Sequence, residues 1–242
     1  MMPLISVVTP VHISTQDQLV FLRELIDTFS KQIYNNKELI ISDDLSDPRV
    51  EGLCNELNSP MLRVRYILSN EKGISKNLNF AISKANGKLI KILFQDDFFT
   101  CRFALLLTWL RLSLSKKYWH VSASIHFQQS TNRFVNKFRP RVSNSLLDGK
   151  NCISSPSVVT CKSIALMDFC SNLDYLMDCE WYLRMSHNHG LPIFGKCTFI
   201  ANRIHADQAT NWAREKLQSE SSFSKMIHNE TRMDSRTCKC KS

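Results

Sequence analysis

Short, unbroken apolar runs alternate with segments of helical period through the first half of this chain, and that alternation restricts the fold more than any other feature. Leu4 to Thr9, Leu39 to Ser42, Leu62 to Leu68 and Leu89 to Phe94 read as buried strands. Between the first two, Thr15-x-x-Gln18 forms a capping box ahead of Leu22, Leu25, Ile26, Phe29 and Ile33, which recur on one helical face. Ser46-Asp47-Pro48 predicts a second helix with Pro48 at its first position. Leu78, Ala81, Ile82 and Ala85 give a third, which Asn86-Gly87 ends. Strands alternating with helices predict an α/β fold with a mainly parallel central sheet and helices on both faces.

The second half is less regular. Phe103 to Leu114 is helical, and Trp119 to Phe127 alternates with the two-residue period of a strand with one buried face. Gln128 to Gly149 reads as a polar, basic loop or lid. A helix over about Asp178 to His189 stops at Gly190, and a strand follows from Pro192 to Ile200. Past Trp212 the chain becomes polar and rich in Ser, Lys and Arg. Residues 1–212 are therefore expected to form one domain, and 213–242 a loosely ordered basic tail.

Hydrophobic content of 43% with 22% charged residues excludes a disordered chain. No signal peptide precedes the first strand, and the longest apolar stretch, Phe103 to Leu114, is interrupted by Thr108, Arg111 and Ser113. A spanning helix needs about 20 apolar residues, so a cytoplasmic protein is expected. Nine cysteines without a C-x-x-C pair read as reduced thiols, and Asn229-Glu230-Thr231 is a sequon with no export signal behind it. The net charge of +9 is concentrated: residues 98–147 hold eight basic side chains and no acid. That block is either a solvated face or a surface for phosphate-bearing partners such as an anionic membrane leaflet, a lipid diphosphate or a nucleic acid. No helix-turn-helix, zinc-finger or RNP-like pattern is present, so a nucleic-acid partner is not expected. A basic nucleic-acid- or phosphate-binding module is nevertheless the alternative from a different functional class. Neither G-x-G-x-x-G nor the P-loop pattern occurs, and with six glycines a Gly-rich phosphate cradle is not expected.

Two acidic pairs close apolar runs: Asp43-Asp44 and Asp96-Asp97. Ligands of open α/β sheets bind outside the carboxyl ends of the strands, where such pairs would share one crevice. A divalent cation would offset their repulsion, since hard cations prefer carboxylate oxygens. Asp178-Cys179-Glu180 could complete that site. Each element also has an ordinary structural explanation: a turn and cap before Pro48, a cap of the next helix, acids complementing a helix dipole, and for His205 a plain core or surface histidine.

Taken together, from about Leu4 to Thr210, these segments resemble the family 2 glycosyltransferases of the GT-A fold. Ile5 to His12 is similar to the family's opening strand and turn, and Leu39 to Asp47 to its nucleoside-binding segment. Gly73 to Asn79 leads into Asn86 to Ile90 as the central helix leads to the fourth strand. Phe94-Gln95-Asp96-Asp97 stands at the D-x-D metal motif, Asp178 to Arg184 at the catalytic-base helix, and Asn202-Arg203-Ile204-His205 at the late Arg-x-His element. Two departures stand out: Leu45 replaces a usual Gly, which predicts a different turn after Asp44, and Phe94 replaces the first Asp of D-x-D.

The resemblance implies an inverting transfer from a nucleoside diphosphate sugar, UDP or dTDP, to an acceptor hydroxyl on an unidentified glycan, lipid-linked or protein acceptor. It implies Mg²⁺ or Mn²⁺ as cofactor, Asp97 as direct metal ligand, and His205 on the metal or a phosphate oxygen. Asp96 would hold the ribose or share the metal, Asp44 would accept a hydrogen bond from the base, and Lys76, Asn79 and Gln95 would contact the donor. Asp178 would be the general base, with Arg184 anchoring its helix. A sugar nucleotidyltransferase, which would carry a Gly-rich, Arg-containing first loop in place of Pro10 to Ser14, and a catalytically inactive GT-A scaffold are the remaining alternatives.

Overall fold

Strand β1 (Ile5–Val11) is buried along its whole length, as are β2 (Lys37–Asp43) and β4 (Leu89–Ile92). Only a strand covered on both faces can be so continuously apolar. The computed structural model describes residues 4–60, 62–208, 211, 214–222 and 224. Helix α1 (Gln16–Ser30) follows β1, α2 (Pro48–Leu57) follows β2, and α3 (Ile74–Ser83) lies between β3 (Val64–Leu68) and β4. The local signals hold. Thr15 and Gln18 close a reciprocal capping box on α1, and Asp47 caps α2 ahead of Pro48. Beyond β4 come β5 (Phe98–Phe99), α4 (Ala104–Ser113), β6 (Trp119–Gln128), β7 (Arg133–Phe138), β8 (Val159–Lys162), α5 (Met177–His189) and β9 (Ile193–Ile204).

Among the described residues the nine strands join one sheet in the order β3-β2-β1-β4-β8-β6-β9-β5, with β7 beside β6. The first four pair in parallel, in a register that sets Val11 opposite Asp43 and Val8 opposite Ile92. The carboxyl ends of β1, β2 and β4 therefore finish along one edge. On the other side of β4 the pairing is mixed: β8 runs antiparallel to β4 and β6, while β6 and β9 are parallel. Where β4 crosses close to β1, Gly87 has no room for a side chain, because a Cβ would stand 2.5 Å from the Ser6 nitrogen.

Three expectations are corrected. The stretch expected as a loop or lid contains β7, a strand paired with β6 whose residues are almost all exposed and so carry no buried period. Strand β9 runs four residues past Ile200, to Ile204. Finally, residues 214–222 of the expected tail are tied to the body: buried Glu220 accepts the backbone N–H groups of Asp174 (3.0 Å), Tyr175 (2.9 Å) and Leu176 (2.9 Å) just ahead of α5. The rest of that tail, with the Asn229 sequon, lies outside the described residues. Among the described residues no helix is long and apolar enough to cross a membrane.

Helix α5 is fixed to the sheet by aromatic packing. Trp181 stacks on Phe169 with ring centroids 4.9 Å apart and meets Trp119 of β6 edge to face. Beneath it Glu180 and Arg184, both 3% exposed, form an i,i+4 ion pair at 2.5 Å, and Arg184 also donates to the Asp168 carbonyl. Arg184 thus anchors the helix, and Glu180 is its counter-ion.

Candidate active site

The two acidic pairs are held differently: both members of the first are buried, whereas only Asp97 of the second is. In the first, Asp43 is buried and organises its own turn, accepting the N–H groups of Leu45 (2.9 Å) and Asp47 (2.7 Å) and the Tyr66 hydroxyl (3.1 Å). The turn differs from a glycine turn as Leu45 predicts: the positive φ falls on Ser46, at 60°. Asp44 is buried too, with Oδ1 2.8 Å from His12 Nδ1 and Oδ2 3.3 Å from the N–H of Gly73, which opens α3. These contacts engage part of its acceptor capacity, since a carboxylate offers about four lone-pair sites.

In the second pair, Asp97 is the inward member, 4% exposed. Its Oδ2 accepts from Asn202 Nδ2 (2.8 Å) and Ser155 Oγ (3.1 Å), and Oδ1 from the Arg203 N–H (3.1 Å). Burial and the neighbouring Asp96 charge push its pKa up against those donors. A covered carboxylate held by three protein donors has little to offer a cation, so the expected role of Asp97 as direct metal ligand does not fit its surroundings. The outward member is Asp96, whose side chain is 23% exposed and whose Oδ2 lies 3.1 Å from His205 Nε2. The carboxylate oxygen suits Mg²⁺ or Mn²⁺ as part of a coordination sphere, while the imidazole nitrogen suits Mn²⁺ better than the harder Mg²⁺. Among the described residues no group of three or more such side chains gathers, so any further ligands would come from substrate and water.

Arg203 sets the geometry of this pair. It is 2% exposed, donates from Nε to the Asp96 carbonyl (2.9 Å) and from its terminal nitrogens to Gln129 and Glu24. Its guanidinium also lies over Phe21, Phe98 and Phe127, at 4.3–5.2 Å from their centroids. His205, two residues on, packs edge-on against the same Phe21.

Several expected donor contacts are already committed within the protein. Gln95 pairs with the backbone of His12, accepting its N–H at 2.7 Å and donating to its carbonyl at 3.1 Å. This clasp joins the ends of β1 and β4. Asn79 does the same with the backbone of Phe169, at 2.8 Å in both directions. An amide with both ends engaged is a brace, so neither residue fits the expected role of substrate ligand. Lys76 is exposed on the first turn of α3. Sequence reasoning missed Asn77, which is buried and bridges Val11 and Ser42 at the ends of β1 and β2.

Asp178, in the first turn of α5, is half-buried. Its Oδ1 accepts the Cys179 N–H and its Oδ2 the Asn151 amide, both at 2.6 Å. Burial outweighs these donors and pushes its pKa up to about 6. Hydrogen bonds link Asp178 to the Asp96–Asp97 pair: Asn151 also donates to the Ser154 carbonyl, Ser154 Oγ donates to Asn202, and Asn202 donates to Asp97. On the other flank, Asp44 meets His12, and His12 is clasped by Gln95 beside Asp96. The three acidic stretches are thus joined into one polar framework. The segment 151–157 that carries much of it gave no sequence signal, because its small polar residues match no spacing rule.

The sequence model of Glycosyl transferase family 2 matches residues 6–108. Among curated relatives, glycosyltransferase GlyG of Streptococcus pneumoniae is 34% identical over 98 residues, covering 40% of this chain and 31% of its own. The GalNAc(5)-diNAcBac-PP-undecaprenol beta-1,3-glucosyltransferase of Campylobacter jejuni is 29% identical over 98 residues, 40% of this chain and 30% of its own. The matched region spans a third or less of the length of each of these relatives. Similar folds occur in the mannosyltransferase PcManGT of Pyrobaculum calidifontis in complex with GDP-Man and Mn²⁺ and in TarS of S. aureus in complex with UDP-GlcNAc. The first has a TM-score of 0.68 at 17% identity, over 94% of this chain and 65% of the other. The second has a TM-score of 0.66 at 16% identity, over 91% and 66%.

Proposed function

We propose that this chain, a family 2 glycosyltransferase by its sequence and GT-A by its fold, transfers a sugar from a nucleoside diphosphate donor to an acceptor hydroxyl with inversion at the anomeric carbon. The observation that carries the proposal is the hydrogen-bonded framework joining Asp44, Asp96 and Asp178 at the carboxyl edge of β1, β2 and β4. Similarity to proteins described with UDP-GlcNAc and GDP-Man supports a nucleotide-sugar donor.

Asp178 takes the proton of the attacking hydroxyl, and its raised pKa makes it a stronger base than an ordinary aspartate while leaving it ionised at neutral pH. One base on the face opposite the leaving group gives a single displacement and therefore inversion. Asp44 accepts from the base of the donor, a uracil or thymine imide, beside His12. Asp96 and His205 would hold Mg²⁺ or Mn²⁺, which would supply Lewis-acid neutralisation of the leaving diphosphate. Asp97 orients that pair by tying Asn202 and Arg203 to the strand end. A lipid-linked acceptor is the favoured class: the C. jejuni relative is named for one, and Arg133, Lys137, Arg139 and Arg141 are exposed and suit a diphosphate headgroup.

The test is turnover of a panel of nucleotide sugars with Mn²⁺ or Mg²⁺, read as donor hydrolysis and transfer. Asp178→Asn should lower turnover by about 10²–10⁴-fold, and Asp96→Ala should weaken metal dependence. Because the reactive form of Asp178 is ionised, activity should fall as pH drops through about 6. Undiminished turnover by both variants would overturn the assignment.

A further inference from the structure

The helix holds one oxygen of Asp178 and the loop holds the other. Asp178 lies in the first turn of α5, where Cys179 engages Oδ1, and the donor to Oδ2 comes from the loop before β8. That donor, Asn151, is itself locked. Its Oδ1 accepts the N–H groups of Ile153 and Ser154, both at 2.9 Å, so turning the amide over would set NH₂ against two N–H groups. Its Nδ2 is thereby directed at the Ser154 carbonyl (3.1 Å) and at Asp178 Oδ2 (2.6 Å).

The turn that presents Asn151 is held under strain. Ser154 has φ of 99°, a conformation L-residues rarely adopt, and such geometry persists only where its surroundings impose it. Here the Tyr182 hydroxyl of α5 donates to the Ser154 carbonyl at 2.9 Å, while Ser154 Oγ donates to Asn202 at 2.8 Å and lies 3.1 Å from Ser124 Oγ. Base helix, metal-side strand and loop therefore converge on one residue.

We propose that Asn151 is the positioning residue of the base: its locked amide aims the Asp178 carboxylate and sets the pH at which it becomes competent to accept a proton. This rests on the reading of Asp178 as the base. A donor to the ionised form favours that form, so Asn151 opposes the effect of burial. The titratable groups facing Asp178 are Cys179 and Tyr182 on its own helix, with Cys152 of the loop beyond Cys179 and Asp97 beyond Tyr182. Burial raises the ionisations of Cys179 and Tyr182 far above neutral pH, so neither titrates in the range where Asp178 does.

The experiment compares Asn151→Ala and Asn151→Asp with the parent, reading the acid limb of kcat/KM for donor turnover and, without substrate, the carboxyl ¹³C titration of Asp178 assigned through Asp178→Asn. Asn151→Ala should move both midpoints up by about one pH unit. Asn151→Asp keeps the oxygen that holds the loop but sets a like charge against Asp178, and should move them further. KM for the donor should change little while kcat falls. Unmoved midpoints in both variants would overturn the proposal even if Asp178→Asn abolishes turnover. Conversely, turnover surviving in Asp178→Asn would defeat the base assignment, while the carboxyl titration would still decide whether Asn151 governs Asp178.

Discussion

The half of the molecule built from β1 to β4 and the half built from β6 to β9 reach the same edge by different means. In the first, neighbours in sequence start the elements: a capping box starts α1, Asp47 and Pro48 start α2, and parallel strands of matching register deliver Asp44 and Asp96, with Asn77 and Gln95 bracing the strand ends. In the second, order depends on buried polar links between residues far apart. Arg203 reaches Glu24 across 179 positions, Asn202 reaches Asp97 across 105, and Glu220 reaches Leu176 across 44. Regular secondary structure can place a side chain at a strand end, but a mixed sheet joined by short strands needs such cross-links to fix its loops.

That contrast can be broken by measuring stability. Arg203→Ala should be the costliest change, about 3–5 kcal/mol by urea denaturation, because it empties a buried space packed against Phe21, Phe98 and Phe127 and removes the donor to the Asp96 carbonyl. Asp97→Ala should follow at about 3 kcal/mol, since Asn202, Ser155 and the Arg203 N–H lose an acceptor. In the parallel half, Gly87→Ala should cost about 2 kcal/mol in thermal unfolding through the contact with Ser6. Thr15→Ala should remove only the cap of α1, about 1 kcal/mol. If the two substitutions in the parallel half proved costlier than the two in the mixed half, long-range polar links would not be what holds the second half together.

The same division explains what could be read from sequence. The alternation of runs, the capping box and the position of Pro48 are local, and they predicted the parallel strands and the helices between them. The acidic pairs pointed to the strand ends, yet spacing could not say which member of the second pair turns inward. Asp96 and Asp97 differ only in the side of the chain they face, and three donors from β9 and the 151–157 segment decide it. Gln95 and Asn79 stand where donor contacts were expected, but their amides bind backbone at residues 83 and 90 positions away, which no pattern records. Strand β8 has four residues, too few to show a period, and β7 is exposed.

Glu220 has a practical consequence for anyone trimming this polypeptide. Judged by composition, Trp212 invites a truncation point, since the residues beyond it are mostly polar and basic. Yet the carboxylate that caps the N–H groups ahead of α5 is supplied from that same stretch. A shortened version would still contain every acidic residue of the candidate site while lacking the latch that steadies the helix bearing one of them. Inactivity of such a fragment would then report a missing fastener and say nothing about the chemistry.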